Sequence, residues 1–146
     1  MLLQASFHHQ NSPNANSKLV MIDDNTLEHM IVKRLCQRLK IFAEADYHCD
    51  ARTVLAQLSK EQAAHLPDII LLDLQMPEFD GWDFLEEFGK IYTSLTKSIK
   101  IYIFSSSINP VDIMRSATYP FVCDFISKPM KQETLQQLYE QFNEAA

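Results

Sequence analysis

Residues 68–81 read DIILLDLQMPEFDG, and this stretch decides the fold. The run Ile69–Leu72 is short, apolar and without polar alternation, which predicts a strand buried on both faces. Asp73 follows at once, although a carboxylate normally avoids the end of a buried run. Pro77 and Gly81 then predict a sharp turn into a helix. The stretch therefore has the form of one strand–helix unit of an α/β protein.

The same unit recurs from Lys18 onward. Further strands are predicted at residues 19–22, 99–104 and 121–126, and the alternating residues 42–48 predict an edge strand. Helical spacing predicts buried stripes in four helices: Leu27, Met30, Ile31, Leu35 and Leu39; Ala51, Val54, Leu55 and Leu58; Phe84, Leu85, Phe88 and Ile91; Leu135, Leu138, Tyr139 and Phe142. Asn109 and Pro110 predict the start of a further helix, with Asp112 in its first turn. The resulting five units predict a parallel sheet with helices on both faces.

Composition disfavours several classes of function. The chain has 146 residues, a net charge of −6 and no lysine or arginine cluster, so nucleic-acid binding is disfavoured. No apolar run approaches the ~18 residues of a membrane span, and no signal peptide is indicated, which predicts a cytoplasmic protein. Three cysteines without a CxxC pair indicate neither a zinc site nor a disulfide framework. The absence of GxGxxG and GxxxxGK motifs disfavours a dinucleotide site or a P-loop.

The chain divides into two parts. Residues 1–17 are rich in Asn, Ser and Gln and are predicted to form a flexible leader. Residues 18–146 contain no linker and no repeat, so they are predicted to form one domain around a single core.

The carboxyl ends of parallel strands share one edge of a sheet, which is where open α/β folds bind ligands. There the sequence places Asp23 and Asp24 after the first strand, Asp73 after the third, Ser105 after the fourth and Lys128 after the fifth. If the first and third strands are neighbours, the three carboxylates converge and repel one another, so either some stay protonated or a cation lies among them. Oxygen ligands suit Mg²⁺ or Mn²⁺. With a lysine and a hydroxyl beside it, such a site can hold a phosphoryl group, and one carboxylate can act as its nucleophile.

Four motifs in this order, VMIDDN, IILLDLQMPEFDG, IFSSS and FISKP, resemble those of the receiver domain of two-component response regulators. The resemblance runs from Lys18 to Asn143 and includes stand-alone regulators such as the chemotaxis regulator. It implies a doubly wound, flavodoxin-like (βα)5 fold, a three-layer sandwich whose parallel strands lie in the order 2-1-3-4-5.

The resemblance also implies the metal and phosphate sites. Asp73 matches the phosphoacceptor, and Asp23 and Asp24 match the acidic pair that holds Mg²⁺ beside it. The backbone carbonyl of Gln75 matches the group that completes the metal site. Lys128 matches the lysine that pairs with the phosphate.

Further positions match the parts that respond to phosphorylation. Ser105 matches the switch hydroxyl, and the backbone N–H of Ser106 is implied to reach the phosphoryl oxygens. Phe125 matches the aromatic residue that turns inward on activation. The peptide bond between Lys128 and Pro129 is implied to be cis.

Three features depart from the commonest pattern of the family. Gln75 is longer than the usual small polar residue, and Ser107 occupies the other position that tunes loss of the phosphate. Residues 116–123, SATYPFVC, lack the usual Ala-Gly turn and carry Tyr119-Pro120 instead. We expect the first two to alter the lifetime of the phosphorylated state and the third to reshape the loop before the fifth strand.

The implied function is that of a single-domain response regulator in a phosphorelay. A histidine kinase or phosphotransfer protein would donate a phosphoryl group to Asp73, giving a phosphoprotein that carries an aspartyl phosphate. Apart from this Mg²⁺-dependent self-phosphorylation and self-dephosphorylation, the chain is predicted not to be an enzyme.

The signal would leave through the face of the fourth helix, fifth strand and fifth helix. A downstream protein would bind there, and no membrane is involved. A homodimer is a further possibility, with no surface assigned to it. Candidate contacts are Ile108, Val111, Met114 and Tyr119, although the apolar character of Val111 and Met114 favours core packing instead.

Two alternatives belong to other functional classes. A degenerate receiver would serve only as a protein-binding module, which the full set of acids, hydroxyl and lysine disfavours. An Mg²⁺-dependent phosphatase with an aspartyl nucleophile, of the haloacid-dehalogenase type, needs a second aspartate two residues after the first. Gln75 stands there and cannot transfer a proton usefully.

Overall fold

Five strand–helix units follow one another along the chain. The structure, a computed structural model, describes residues 17–60 and 65–145, with side chains to residue 142. The strands are β1 (Lys18–Ile22), β2 (Glu44–His48), β3 (Ile69–Leu72), β4 (Lys100–Ser105) and β5 (Val122–Ser127). The helices are α1 (Thr26–Leu39), α2 (Ala51–Leu58), α3 (Gly81–Ile91), α4 (Pro110–Ser116) and α5 (Gln132–Ala145), and a 3-10 turn, Tyr92–Ser94, follows α3.

The strands form one parallel sheet in the order β2-β1-β3-β4-β5. β3 lies at its centre, and all four of its residues are buried. β2 lies at one edge and is only partly buried, as its alternating sequence predicts. The doubly wound fold and the strand order implied by the motifs are therefore confirmed.

Alternate residues of the central strands face opposite sides of the sheet and build two separate cores. Ile70, Leu72 and Ile103 pack with Val54 of α2 and Phe84 of α3 on one side. The other core joins their strand neighbours to α1 and α5 and consists of Leu19, Met21, Val32, Cys36, Ile41, Phe42, Ile69, Leu71, Tyr102, Phe104, Ile126, Met130, Leu135, Leu138 and Tyr139. Burial of every β3 side chain on one of these sides fixes that strand rigidly.

The stripe predicted for α1 is partly wrong. Leu27 and Met30 are exposed, by 60% and 50%, whereas Val32 and Cys36 are buried. At 3.6 residues per turn, Leu27 and Met30 lie about half a turn from Val32, so they point away from the sheet. Steps of three and four residues are compatible with more than one helical face. Packing against the sheet determines which of these faces is buried.

The prediction that Val111 and Met114 belong to the core is also wrong. They are 65% and 71% exposed, and the neighbouring Ile108 is 86% exposed. Ser116 is the buried residue of α4, a helix of seven residues. Such a short helix presents little surface to the sheet, so its apolar side chains remain in water.

The predicted flexible leader, residues 1–17, lies outside the described residues except for its last member. Ser17 is buried, and its hydroxyl oxygen accepts a hydrogen bond from the backbone N–H of Ala43 at 3.1 Å. This residue therefore belongs to the folded unit. In the part of the chain that the structure describes, no helix is both long enough and apolar enough to cross a membrane.

Gly81 allows α3 to begin directly against the end of β3. A Cβ atom at this position would lie 2.7 Å from Leu74 Cα and closer still to the carbonyl oxygen of Asp73. The backbone N–H of Gly81 donates to the Leu74 carbonyl at 3.1 Å. Asp80 caps the helix, and its side chain and that of Asp83 each accept the other's backbone N–H at 3.0 Å.

Because the three nearest atoms that a Gly81 side chain would meet are all backbone atoms, we expect Gly81→Ala to destabilise the fold. The displaced turn should cost about 1–3 kcal/mol of unfolding free energy, measured by urea titration. Gly89→Ala is the matched control, since its Cβ would sit 3.5 Å from the Phe121 ring, an ordinary contact. Alanine in a helix should make that variant equal to wild type or more stable by up to about 1 kcal/mol. Equal losses in both variants would contradict the role given to Gly81.

Candidate functional site

The parallel sheet brings three carboxylates to one edge. Asp23 and Asp24 follow β1, and Asp73 follows β3, its neighbour in the sheet. The backbone N–H of Asp73 donates to the Ile22 carbonyl at 2.9 Å, and that of Asp23 donates to the His48 carbonyl at 2.9 Å. One carboxylate oxygen from each of the three aspartates lies within 4.8 Å of the other two. The convergence predicted from the strand ends is therefore present.

The three aspartates differ in exposure and in their partners. Asp23 and Asp73 are buried, whereas Asp24 is exposed. Asp23 Oδ1 accepts the Asn25 backbone N–H at 2.9 Å, and Asp73 Oδ1 accepts the Gln75 backbone N–H at 3.3 Å. The cluster thus has a fixed inner part and a side that is open to solvent at Asp24.

Lys128 supplies the positive charge of the cluster. Its Nζ lies 2.7 Å from Asp23 Oδ2 and 3.4 Å from Asp73 Oδ1. Its backbone N–H donates to the Ser105 carbonyl at 2.9 Å, and the Lys128–Pro129 peptide bond is cis. The ammonium also lies 5.4 Å from the centroid of the Phe104 ring, a favourable cation–π distance. These contacts hold the side chain between the two buried carboxylates.

One lysine does not neutralise the negative charge of the three aspartates. Burial, followed by the charge of Asp23, raises the pKa of Asp73 to about 6, although Lys128 and the Gln75 N–H act in the opposite direction. Burial acts to lower the pKa of Lys128, but the two aspartates outweigh it and the pKa is raised. Three ionised carboxylates and one ammonium leave −3 + 1 = −2. That charge and an all-oxygen donor set fit a divalent cation of the Mg²⁺ or Mn²⁺ type.

The remaining predicted residues differ in burial and in their contacts. Ser105 ends β4 and is fully buried, and its Oγ accepts the Ser107 backbone N–H at 3.1 Å. Ser106 and Gln75 are exposed. Phe125 is half-buried against the core on the α2 and α3 side of the sheet. No hydrogen bond joins the Ser105 hydroxyl to Asp73 or Lys128 within residues 17–60 and 65–142.

Asp112 was not identified from the sequence beyond its place in the first turn of a helix. In the structure its Oδ2 accepts the Ser107 hydroxyl at 2.7 Å, which connects α4 to the loop after β4. A second contact that was not predicted is the cation–π contact between Arg115 and Trp82, in which the Arg115 Cζ lies 4.0 Å from the centroid of the Trp82 ring. Neither contact has a signal in residue spacing, because each depends on how α4 is oriented.

The raised pKa of Asp73 predicts a pH-dependent effect of Asp73→Asn in the metal-free protein. Because the pKa of Asp73 is higher in the folded protein than in the unfolded chain, a protonated Asp73 stabilises the fold. Wild type loses that stabilisation as the pH rises from about 4 through about 6 and Asp73 ionises. The variant, which stays neutral, should be more stable than wild type at pH 8 by up to about 3 kcal/mol and nearly equal to it at pH 4. Urea unfolding in EDTA measures this. A variant no more stable than wild type at pH 8 would contradict the predicted repulsion.

Binding of Mg²⁺ should stabilise wild type but not Asp24→Ala. A cation at about ten times its Kd adds about 1.4 kcal/mol to the unfolding free energy. Asp24 is exposed, so its truncation removes a ligand without opening the core. Glu87→Ala removes an exposed carboxylate of α3 outside the cluster and should respond to Mg²⁺ as wild type does. An undiminished response of Asp24→Ala would place the cation elsewhere.

The chain resembles known proteins both in sequence and in structure. The sequence profile described as the response regulator receiver domain matches residues 19–140. The chain is 23% identical over 128 residues to the probable methanogenesis regulatory protein FilR2 of Methanothrix harundinacea, covering 86% of this chain and 81% of that protein. It is 31% identical over 120 residues to a protein-glutamate methylesterase/protein-glutamine glutaminase of Treponema denticola, covering 80% of this chain but only 30% of that protein.

The fold is likewise similar to that of solved receiver proteins. The phosphorylated cyanobacterial phytochrome response regulator RcpA superposes with a TM-score of 0.67 at 27% identity, covering 89% of this chain and 93% of RcpA. With the profile matching most of the described residues, the chain belongs to the response regulator receiver domain family.

Proposed function

We propose that this receiver domain accepts a phosphoryl group on Asp73 from a histidine kinase or phosphotransfer protein. The observation that carries the proposal is the position of the Asp73 carboxylate, held beside a lysine and two further acids at an edge that is open at Asp24. RcpA, at 27% identity, is described as phosphorylated, and we extend that state to this chain.

In the proposed transfer, an oxygen of the ionised Asp73 carboxylate attacks phosphorus. The new O–P bond forms as the P–N bond to the donor histidine breaks, and its electron pair stays with the imidazole nitrogen. With a pKa of about 6, Asp73 is mostly ionised near pH 7.5 and can act as the nucleophile. Asp23 holds Lys128, whose ammonium then neutralises charge on the transferred group.

A divalent cation, when bound by Asp23, Asp24, Asp73 and the Gln75 carbonyl, would supply further positive charge to the phosphoryl oxygens. The chain's own residues would do the rest of the binding. The Ser105 hydroxyl and the backbone N–H of Ser106 would donate to those oxygens, while the side chains of Gln75 and Ser107 would set the access of the water that removes the phosphate.

The proposed output surface combines α4, β5 and α5. Inward rotation of Phe125, once Ser105 has moved toward the phosphate, would change the shape of this surface. Ile108, Val111 and Met114 are exposed and available to a downstream protein or to a second copy of the chain. Tyr119 fits that role less well, because its hydroxyl donates to Glu86 Oε1 at 2.6 Å and so ties it to α3.

Incubation with acetyl phosphate and Mg²⁺ tests the function. Intact-mass spectrometry should find one hydroxylamine-sensitive phosphoryl group per wild-type chain and none on Asp73→Asn. Asp50→Asn is the matched control, since it makes the same chemical change at an exposed N-cap where asparagine caps equally well. Absence of label in wild type, or label retained by Asp73→Asn, would overturn the proposal. Steady turnover of a generic phosphate ester would instead favour the phosphatase alternative.

A further inference from the structure

A chain of hydrogen bonds runs from the end of β4 to the first turn of α4. The Ser107 backbone N–H donates to Ser105 Oγ at 3.1 Å. The Ser107 hydroxyl donates to Asp112 Oδ2 at 2.7 Å and accepts the Asn109 backbone N–H at 3.2 Å. Ser107 therefore holds Ser105 with its backbone while its own side chain is held by α4.

This arrangement opposes the movement that phosphorylation requires of Ser105. To donate to a phosphoryl oxygen, its hydroxyl must come within about 3 Å of a group on Asp73. In residues 17–60 and 65–142 it makes no hydrogen bond to Asp73, and its Oγ is bound by the Ser107 N–H instead. Displacing Ser105 leaves the Ser107 N–H without its acceptor, so Ser107 must follow, and its bond to Asp112 resists.

Apolar packing does not replace that bond at α4. The side chains of Ile108, Val111 and Met114 are exposed, and Ser116 is the buried residue of the helix. A hydrogen bond to an ionised carboxylate is among the stronger polar contacts in a protein. The Ser107–Asp112 bond is thus a main link between α4 and the loop that carries the switch hydroxyl.

We propose that Asp112 is a positioning residue for phosphorylation of Asp73: through Ser107 it keeps Ser105 in its present hydrogen bond and so stabilises the unphosphorylated conformation. This inference rests on the proposed function of Asp73. Loss of the Ser107–Asp112 bond would lower the free energy needed to move Ser105 and so favour the phosphorylated form.

Asp112 has a second property that the test must separate from the first. As an acidic residue in the first turn of α4, it stabilises the helix electrostatically. Three variants distinguish the two effects. Ser107→Ala breaks the bond and keeps the Asp112 charge, although it also removes the acceptor of the Asn109 N–H at the helix cap. Asp112→Asn removes the charge but keeps an oxygen acceptor. Asn109→Ala removes the capping side chain, which accepts the Val111 N–H at 3.0 Å, but keeps the Ser107–Asp112 bond.

The measurement is the affinity for beryllofluoride in the presence of Mg²⁺, by calorimetry on the full chain. Beryllofluoride mimics a phosphoryl group but is not hydrolysed, so effects of Ser107 on phosphate loss do not enter. We expect Asp112→Ala and Ser107→Ala each to bind it about tenfold more tightly than wild type. The double variant should bind no more tightly than either single one, because both remove the same bond. Asp112→Asn and Asn109→Ala should stay within about threefold of wild type.

The possible results separate the two levels of the hypothesis. If wild type does not bind beryllofluoride, or if Asp73→Asn binds it equally, the proposed function fails. If wild type binds and Asp73→Asn does not, but Asp112→Ala binds no more tightly than wild type, the inference alone fails. It also fails if the single effects add in the double variant, or if Asn109→Ala matches Asp112→Ala, since helix weakening would then explain the change.

Discussion

The ion pair between Lys128 and Asp23 is the interaction on which the candidate site depends. Two buried carboxylates beside each other would otherwise favour protonation, which would make Asp73 a poor nucleophile. Lys128, at 2.7 Å from Asp23 and 3.4 Å from Asp73, offsets much of that repulsion but not all of it. The remaining negative charge has two consequences. The pKa of Asp73 stays raised, at about 6, and the cluster attracts a cation.

The fold divides the site into a rigid half and a less restrained half. β1 and β3 are packed on both faces, so Asp23 and Asp73 stand at the ends of strands that cannot shift without disturbing a core. α4 is short and exposes its apolar residues, and polar contacts hold it at both ends. A change at Asp73 is therefore more easily accommodated at α4 than in the sheet, which supports the proposed output surface.

Much of this arrangement could be predicted from the sequence because it depends on strands alone. Apolar runs such as Ile69–Leu72 identify buried strands, and parallel strands share a carboxyl edge. The strand order implied by the family resemblance makes the first and third strands neighbours, which brings Asp23, Asp24 and Asp73 together there. The helix faces were less predictable. Leu27 and Met30 have helical spacing but lie away from the sheet, since periodicity alone does not say which face is covered. The Ser107–Asp112 bond escaped prediction because it depends on the orientation of α4 and not on spacing.

The glycine at the start of α3 has an evolutionary consequence. Every replacement of a glycine by another amino acid introduces a side chain, and at Gly81 that side chain would press on the backbone of the proposed nucleophile itself. Substitution at position 81 would therefore disturb the backbone of Asp73 and Leu74. Gly89, eight residues along the same helix, faces only the edge of a phenylalanine ring and has no such restriction. Two glycines in one helix thus differ widely in their freedom to vary, and the cause is the backbone that one of them touches.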